Sequence, residues 1–223
     1  MNIKTQLVSQ DVLHMDKKTS GKIFKILNDA YPRVTTTLIY KTPLELLVST
    51  ILSAQCTDVR VNTVTQELFK KYRIVEDYAQ AELHAFEQDI RSTGFYKNKA
   101  KNIIATAKML IKDFSGQVPD DMVSLVKLPG VARKTANIVL LHAYGKVQGI
   151  AVDTHVKRVS GRLGLTNNVN PEKIEKDLMC LFDRRQWKKL SNLLIEHGRK
   201  ICKARKPLCA SCLLANMCPS NME

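Results

Sequence analysis

Four cysteines near the C-terminus, Cys202-x6-Cys209-x2-Cys212-x5-Cys218, put four soft sulfur donors into one short segment. A C-x2-C core inside such a set marks a metal site, and four thiolates suit either zinc or an iron–sulfur cluster. A second group lies in Leu128-Pro129-Gly130-Val131-Ala132-Arg133-Lys134. Pro and Gly force a tight turn there, and the helix that follows opens with backbone N–H groups able to hold a phosphate. Lys134 falls in the first turn of that helix, where the helix dipole opposes a positive charge and partial burial would also favour the neutral amine. Both effects lower a lysine pKa. Read alone, this lysine is one more phosphate contact. A third group is Val152-Asp153-Thr154-His155, with Asp153 where an N-cap belongs.

The elements that hold these groups are helical. Apolar residues recur at helical spacing in Leu44, Leu47, Val48, Ile51 and Leu52, and again in Ile103, Ile104, Ala107, Leu110 and Ile111. A third stripe, Ala136, Val139, Leu140, Ala143 and Tyr144, stops at Gly145. Short punctuation at Tyr31-Pro32, Thr42-Pro43, Gly94, Pro129-Gly130 and Asn170-Pro171 predicts about ten short helices and an all-α fold. Residues 34–40 have strand character, but without a second strand they read as an extended connector. There is no internal repeat at fixed period, and residues 1–22 read as a loosely held tail.

Composition narrows the partner. In 223 residues, 35 Lys and Arg face 21 Asp and Glu, a formal charge of +14, which favours polyanions and makes nucleic acid the leading partner. A chain of this length buries a core without covalent staples. The N-terminal stretch has no apolar run of signal-peptide length, and no segment is long enough to span a membrane, so the expected compartment is the cytoplasm, at the nucleoid. In that setting the cysteines are reduced thiols or metal ligands rather than disulfides. Cys56 and Cys180 fall outside the metal spacing and read as small buried hydrophobes on helices.

The run Leu128 to Ala136, the Val152-Asp153-Thr154-His155 segment and the 6-2-5 cysteine spacing together resemble the endonuclease III family of DNA glycosylases. The resemblance extends over roughly residues 23–217, with one departure in the hairpin: Ala132 stands where the family has a second glycine. It implies a helix–hairpin–helix glycosylase fold of two helical lobes with a DNA-binding cleft between them. One lobe would be a six-helix domain over residues 36–147; the other would join residues 23–35 to 148–223 and hold a [4Fe–4S] cluster on Cys202, Cys209, Cys212 and Cys218. The implied activity is bifunctional. Lys134 attacks C1′, displaces the damaged base and forms a Schiff base that permits β-elimination, while Asp153 activates the lysine and stabilises charge developing on the sugar.

The same resemblance assigns contacts to double-stranded DNA bearing damaged bases or abasic sites. Leu128, Pro129, Gly130, Val131, Ala132 and Arg133 form the phosphate-binding hairpin. His155 supports backbone or phosphate, and Lys203, Arg205 and Lys206 form a basic loop braced by the cluster. Gln55, in Leu52-Ser53-Ala54-Gln55, is the expected plug for the space left by an extruded base, and Phe95, after Gly94, the wedge between strands. Oxidised pyrimidines are the expected substrates and a monomer the expected state. Two alternatives stand beside this reading: a monofunctional mismatch glycosylase of the same superfamily, and a non-catalytic DNA-binding protein stabilised by a metal.

Overall fold

The computed structural model describes residues 15–221. The expected tail over residues 1–22 therefore lies mostly outside the described residues, and from Lys17 onward the chain is helix. Eleven α-helices are found among the described residues, with no strand. In chain order they are α1 (Lys17–Ala30), α2 (Pro43–Leu52), α3 (Asp58–Lys71), α4 (Val75–Ala79), α5 (Leu83–Asp89), α6 (Tyr96–Phe114), α7 (Met122–Leu125), α8 (Arg133–Tyr144), α9 (Thr154–Arg162), α10 (Pro171–Leu181) and α11 (Arg184–Lys200). Short 3-10 turns cover Arg91–Thr93, Cys209–Ser211 and Ala215–Met217.

The chain forms two compact units. The first, the hairpin unit, comprises Arg33–Ala151 with Trp187–Asn192 of α11. Its elements follow from local sequence. Thr42 caps α2 by accepting from the Glu45 N–H, Pro43 fits the first helical position, and Leu46, Leu47, Val48, Ile51 and Leu52 are buried. The 19-residue α6 buries Ala100, Ile103, Ile104, Ala107 and Leu110. It ends where Ser115 and Gly116 turn left-handed and the Gly116 N–H donates back to the Leu110 carbonyl at 2.8 Å. In α8, Ala136, Val139 and Leu140 face the same core, and left-handed Gly145 ends the helix. Each buried leucine of this kind contributes about 1.5–3 kcal/mol relative to exposure.

Residues 34–40 belong to no helix or strand. Their backbone groups turn to α3 instead: Ile39 N–H donates to Asn62 Oδ1 at 3.0 Å, and Asn62 Nδ2 donates to the Thr37 carbonyl at 2.8 Å. Side chains thus supply the hydrogen bonds a second strand would have given.

The second, the cluster unit, gathers the described residues up to Pro32, Val152–Gln186 and those from Leu193 onward. Ile23, Leu27, Val156, Val159, Ile174, Leu178, Leu194 and Leu214 are buried in it. Asp16 caps α1 and Asn170 caps α10 ahead of Pro171. The Ser20 hydroxyl donates to the Leu181 carbonyl at 3.0 Å, tying α1 to the end of α10.

Candidate functional site

In the hairpin unit, the short α7 and the longer α8 flank the turn at Pro129-Gly130. Gly130 has φ +75, and a Cβ there would lie 2.8 Å from Asn102 Nδ2, so both backbone handedness and space require glycine. The turn is anchored from α6, where the Thr106 hydroxyl donates to the Pro129 carbonyl at 2.9 Å, and internally by Val131 N–H to the Leu128 carbonyl at 3.1 Å. Leu128 and Val131 are buried in the core, so their side chains hold the turn in place. Pro129 is half-buried and Gly130 exposed.

Ala132 is exposed, with φ −84 and ψ 169, at the N-cap position of α8. Extended backbone suits any residue, so the departure from glycine carries no handedness penalty. An alanine cannot cap, and no side chain caps α8. Its first turn, holding half-buried Arg133 and exposed Lys134 and no acidic residue, thus presents backbone N–H groups and the positive end of the helix dipole. Lys134 is exposed, so burial does not act on it in the way its expected lowering assumed.

In the cluster unit, Asp153 is the N-cap of α9, accepting from the Val156 N–H at 2.7 Å through Oδ1. His155 is half-buried, its Nδ1 3.1 Å from Arg158 Nη2 and against the backbone at Gly198. Burial pushes the His155 imidazole down, Arg158 and Arg199 adding to it, while Asp153 pulls the other way. The imidazole thus lies between α9 and the Gly198 turn of α11.

Cys202, Cys209, Cys212 and Cys218 are each half-buried and line one cavity together with Arg162, His197 and Leu208. Burial pushes the Cys212 and Cys218 thiols up against a backbone hydrogen bond to each, and the neighbouring cysteines add to the rise. Ionising four thiols in one half-buried pocket needs a bound cation, which is what a metal cluster supplies, so the donor set fits one. Arg162 Nη1 lies 3.4 Å from Cys202 Sγ and donates to the Lys203 carbonyl at 2.7 Å, while its Nη2 donates to the Ala204 carbonyl at 3.1 Å. His197 Nε2 stands 3.6 Å from Cys212 Sγ. Lys203, Arg205 and Lys206 are exposed on the loop that Arg162 pins, with Lys206 at φ +51.

Gln55 and Phe95, both in the hairpin unit, are exposed and left-handed, at φ +53 and +49. Phe95 is 64% exposed, which removes it from the core. A left-handed non-glycine residue costs about 1–3 kcal/mol and persists only where the surroundings hold it. Cys56 is half-buried in the turn before α3 and Cys180 is exposed on α10, so neither is the buried helical hydrophobe expected. Burial of a single cysteine leaves no periodic signal, which is why the sequence misplaces them.

Three contributors escaped the sequence reading. Arg158 and Arg162, four apart on α9, fix the backbone around Cys202. The i, i+4 arginine pair is visible in sequence, but its targets lie 40 or more positions away. Lys99, on α6, is buried.

Comparison with known proteins bears on this arrangement. Residues 48–184 match the HhH-GPD superfamily base excision DNA repair protein, and residues 202–218 the iron-sulfur binding domain of endonuclease III. Endonuclease III of Synechocystis sp. (strain ATCC 27184 / PCC 6803 / Kazusa) is 52% identical over 204 residues, 92% of this chain and 93% of its own. Two solved structures are 44% identical with a TM-score of 0.89, covering 93% of this chain and 97% of theirs. One is a non-covalent Endonuclease III–DNA complex, the other a trapped Endonuclease III–DNA covalent intermediate, an estranged-adenine complex.

Proposed function

Because the chain belongs to the endonuclease III family of HhH-GPD base-excision repair proteins, we propose that Lys134 is its nucleophile and Asp153 the carboxylate that assists it. The protein is a bifunctional DNA glycosylase and abasic-site lyase whose partner is DNA, and its cofactor is a [4Fe–4S] cluster. The observation that carries the residue assignment is the placement of Lys134: an exposed amine in the first turn of an uncapped helix, four residues beyond a glycine turn built for close approach. A DNA phosphate held by the backbone N–H groups of that turn brings the neighbouring sugar within reach of the amine.

The reaction follows from that reach. The amine nitrogen of Lys134 attacks C1′, the C1′–N bond breaks, and the base leaves carrying the proton that the nitrogen sheds. The sugar ring opens to give an imine between Lys134 and C1′. Loss of a C2′ proton then expels the 3′ phosphate, and water hydrolyses the imine to release the lysine. The charge of Asp153 favours the cationic character that develops on the sugar and the iminium. Cys202, Cys209, Cys212 and Cys218 would hold the cluster, which would brace the segment 202–218, and Lys203, Arg205 and Lys206 on it contact the DNA backbone. Gln55 fills the space of the extruded nucleotide and Phe95 parts the strands.

Oxidised pyrimidines in double-stranded DNA are the substrates, acted on by a monomer at the nucleoid. Among the described residues no helix is long and apolar enough to cross a membrane. Side-by-side turnover of thymine glycol, dihydrouracil, uracil and mismatched duplexes, with an abasic duplex as reference, tests the substrate class. Thymine glycol and dihydrouracil are expected to be cut and nicked. Excision confined to uracil or mismatches, with no strand nicking, would overturn it in favour of a monofunctional enzyme.

A further inference from the structure

Lys99 of α6 is 5% exposed, and both of its hydrogen-bond partners are backbone carbonyls: Nζ donates to Leu52 O and to Thr93 O, each at 2.8 Å. Leu52 is the last residue of α2 and Thr93 the last of the 3-10 turn Arg91–Thr93. Carbonyls at helix ends lack partners within the helix and carry its partial negative charge, so one amine satisfies two such ends. Burying an amine is costly, and filling the same space with a leucine or methionine would be cheaper if packing were its only task. Burial pushes the Lys99 amine down. Charged or neutral, it keeps the two N–H donors the carbonyls need.

What those two helix ends lead to is the informative part. Three residues beyond Leu52 comes Gln55, and two beyond Thr93 comes Phe95, both exposed and both left-handed. The Leu52–Gln55 turn is otherwise held by local bonds, Ser53 N–H to Ser49 O at 2.9 Å and Cys56 N–H to Ser53 O at 3.1 Å. The other turn is held by Gly94 N–H to Arg91 O at 3.3 Å and by Lys99 N–H to Phe95 O at 3.2 Å. These bonds shape each turn separately. The Lys99 side chain alone among them reaches both.

We propose that Lys99 is a positioning residue for duplex opening, fixing the Gln55 turn and the Phe95 turn to each other so that plug and wedge enter the DNA together. This rests on the reading of Gln55 and Phe95 as plug and wedge. It separates opening of the duplex from chemistry at C1′, because the buried Lys99 amine bonds only to main-chain carbonyls.

The test compares two activities of the same preparation: single-turnover excision of thymine glycol from a duplex, and nicking of an abasic site in single-stranded DNA, which has no stack to open. Their ratio does not depend on how much of a variant is folded. In Lys99→Met the ratio is expected to fall about tenfold or more, as for a misplaced group remote from the chemistry. Fluorescence of a 2-aminopurine beside the lesion should fall with it. Lys99→Arg, which restores two donors, should recover most of both. Gln55→Ala and Phe95→Ala should lower the same ratio and the same signal. If those two variants lower them while Lys99→Met stays at wild type, the Lys99 proposal is overturned and the plug-and-wedge reading survives. If Gln55→Ala and Phe95→Ala leave ratio and signal unchanged, both fall. A Lys99→Met enzyme that loses the two activities in equal proportion has lost only packing, which also overturns the proposal.

Discussion

Replacing Asp153 by asparagine keeps a side-chain oxygen over the start of α9 while removing the charge, and replacing it by alanine removes both. The cap is a 2.7 Å bond from the Val156 N–H to Oδ1. Asparagine caps as well as aspartate, whereas alanine at an N-cap costs about 1 kcal/mol. For a domain of this size that lowers Tm by roughly 2–4 °C, so Asp153→Ala should melt a few degrees low and Asp153→Asn within about 1 °C of wild type. Chemistry should divide the variants differently. A carboxylate that stabilises developing positive charge is worth about 10²–10³ in rate, or roughly 2.7–4 kcal/mol, and both variants should lose it. Differential scanning fluorimetry and single-turnover excision at 25 °C give the two readouts. Asp153→Asn that excises within about threefold of wild type, where removal of a transition-state charge should cost far more, would reduce Asp153 to a cap and refute the assignment.

Other outcomes follow from the same geometry. Gly130→Ala meets both a left-handed backbone and Asn102 at 2.8 Å, and should cost about 1–3 kcal/mol in denaturant unfolding and weaken DNA binding. Ala132→Gly, at the N-cap of α8, should raise stability by about 0.5 kcal/mol, because glycine is preferred over alanine at that position; a loss of stability would contradict this. The Asp121 carboxyl, which caps α7, is held below the usual range chiefly by the Ser124 N–H. Its folded pKa lies under its unfolded one, so its stabilisation is complete above about pH 4 and is lost as pH falls through the folded value. Wild type should therefore lose more Tm between pH 5 and pH 3 than Asp121→Asn, and equal losses would contradict this. Arg162→Gln, which withdraws the donors to Cys202 Sγ, Lys203 O and Ala204 O, should bleach near 400 nm about tenfold faster under chelator, and an unchanged rate would deny Arg162 that support.

The helical lobes were legible because periodicity and capping agree. Thr42-Pro43 opens α2, Asn170-Pro171 opens α10, and Gly145 closes α8, each next to a 3.6-residue apolar stripe. The cysteine pocket was legible because its four cysteines lie within one short segment. Spacing could not say how exposed a side chain is once the turns fold. Leu128 and Val131 share a motif with Gly130 yet go to the core, while Phe95, an aromatic beside a glycine, stays on the surface. Lys99 was illegible for a different reason. Its partners are main-chain carbonyls 47 and 6 positions away, and a carbonyl has no letter in a sequence.

If Lys134 is the nucleophile, it forms a covalent imine with the DNA during turnover. Borohydride added during turnover reduces such an imine and leaves the protein fixed to the strand. Wild type on a thymine glycol duplex is expected to give a cross-linked band whose DNA-bearing peptide contains Lys134, and Lys134→Ala to give none. Absence of a wild-type cross-link, or a cross-link that persists at wild-type yield in Lys134→Ala, would contradict the account.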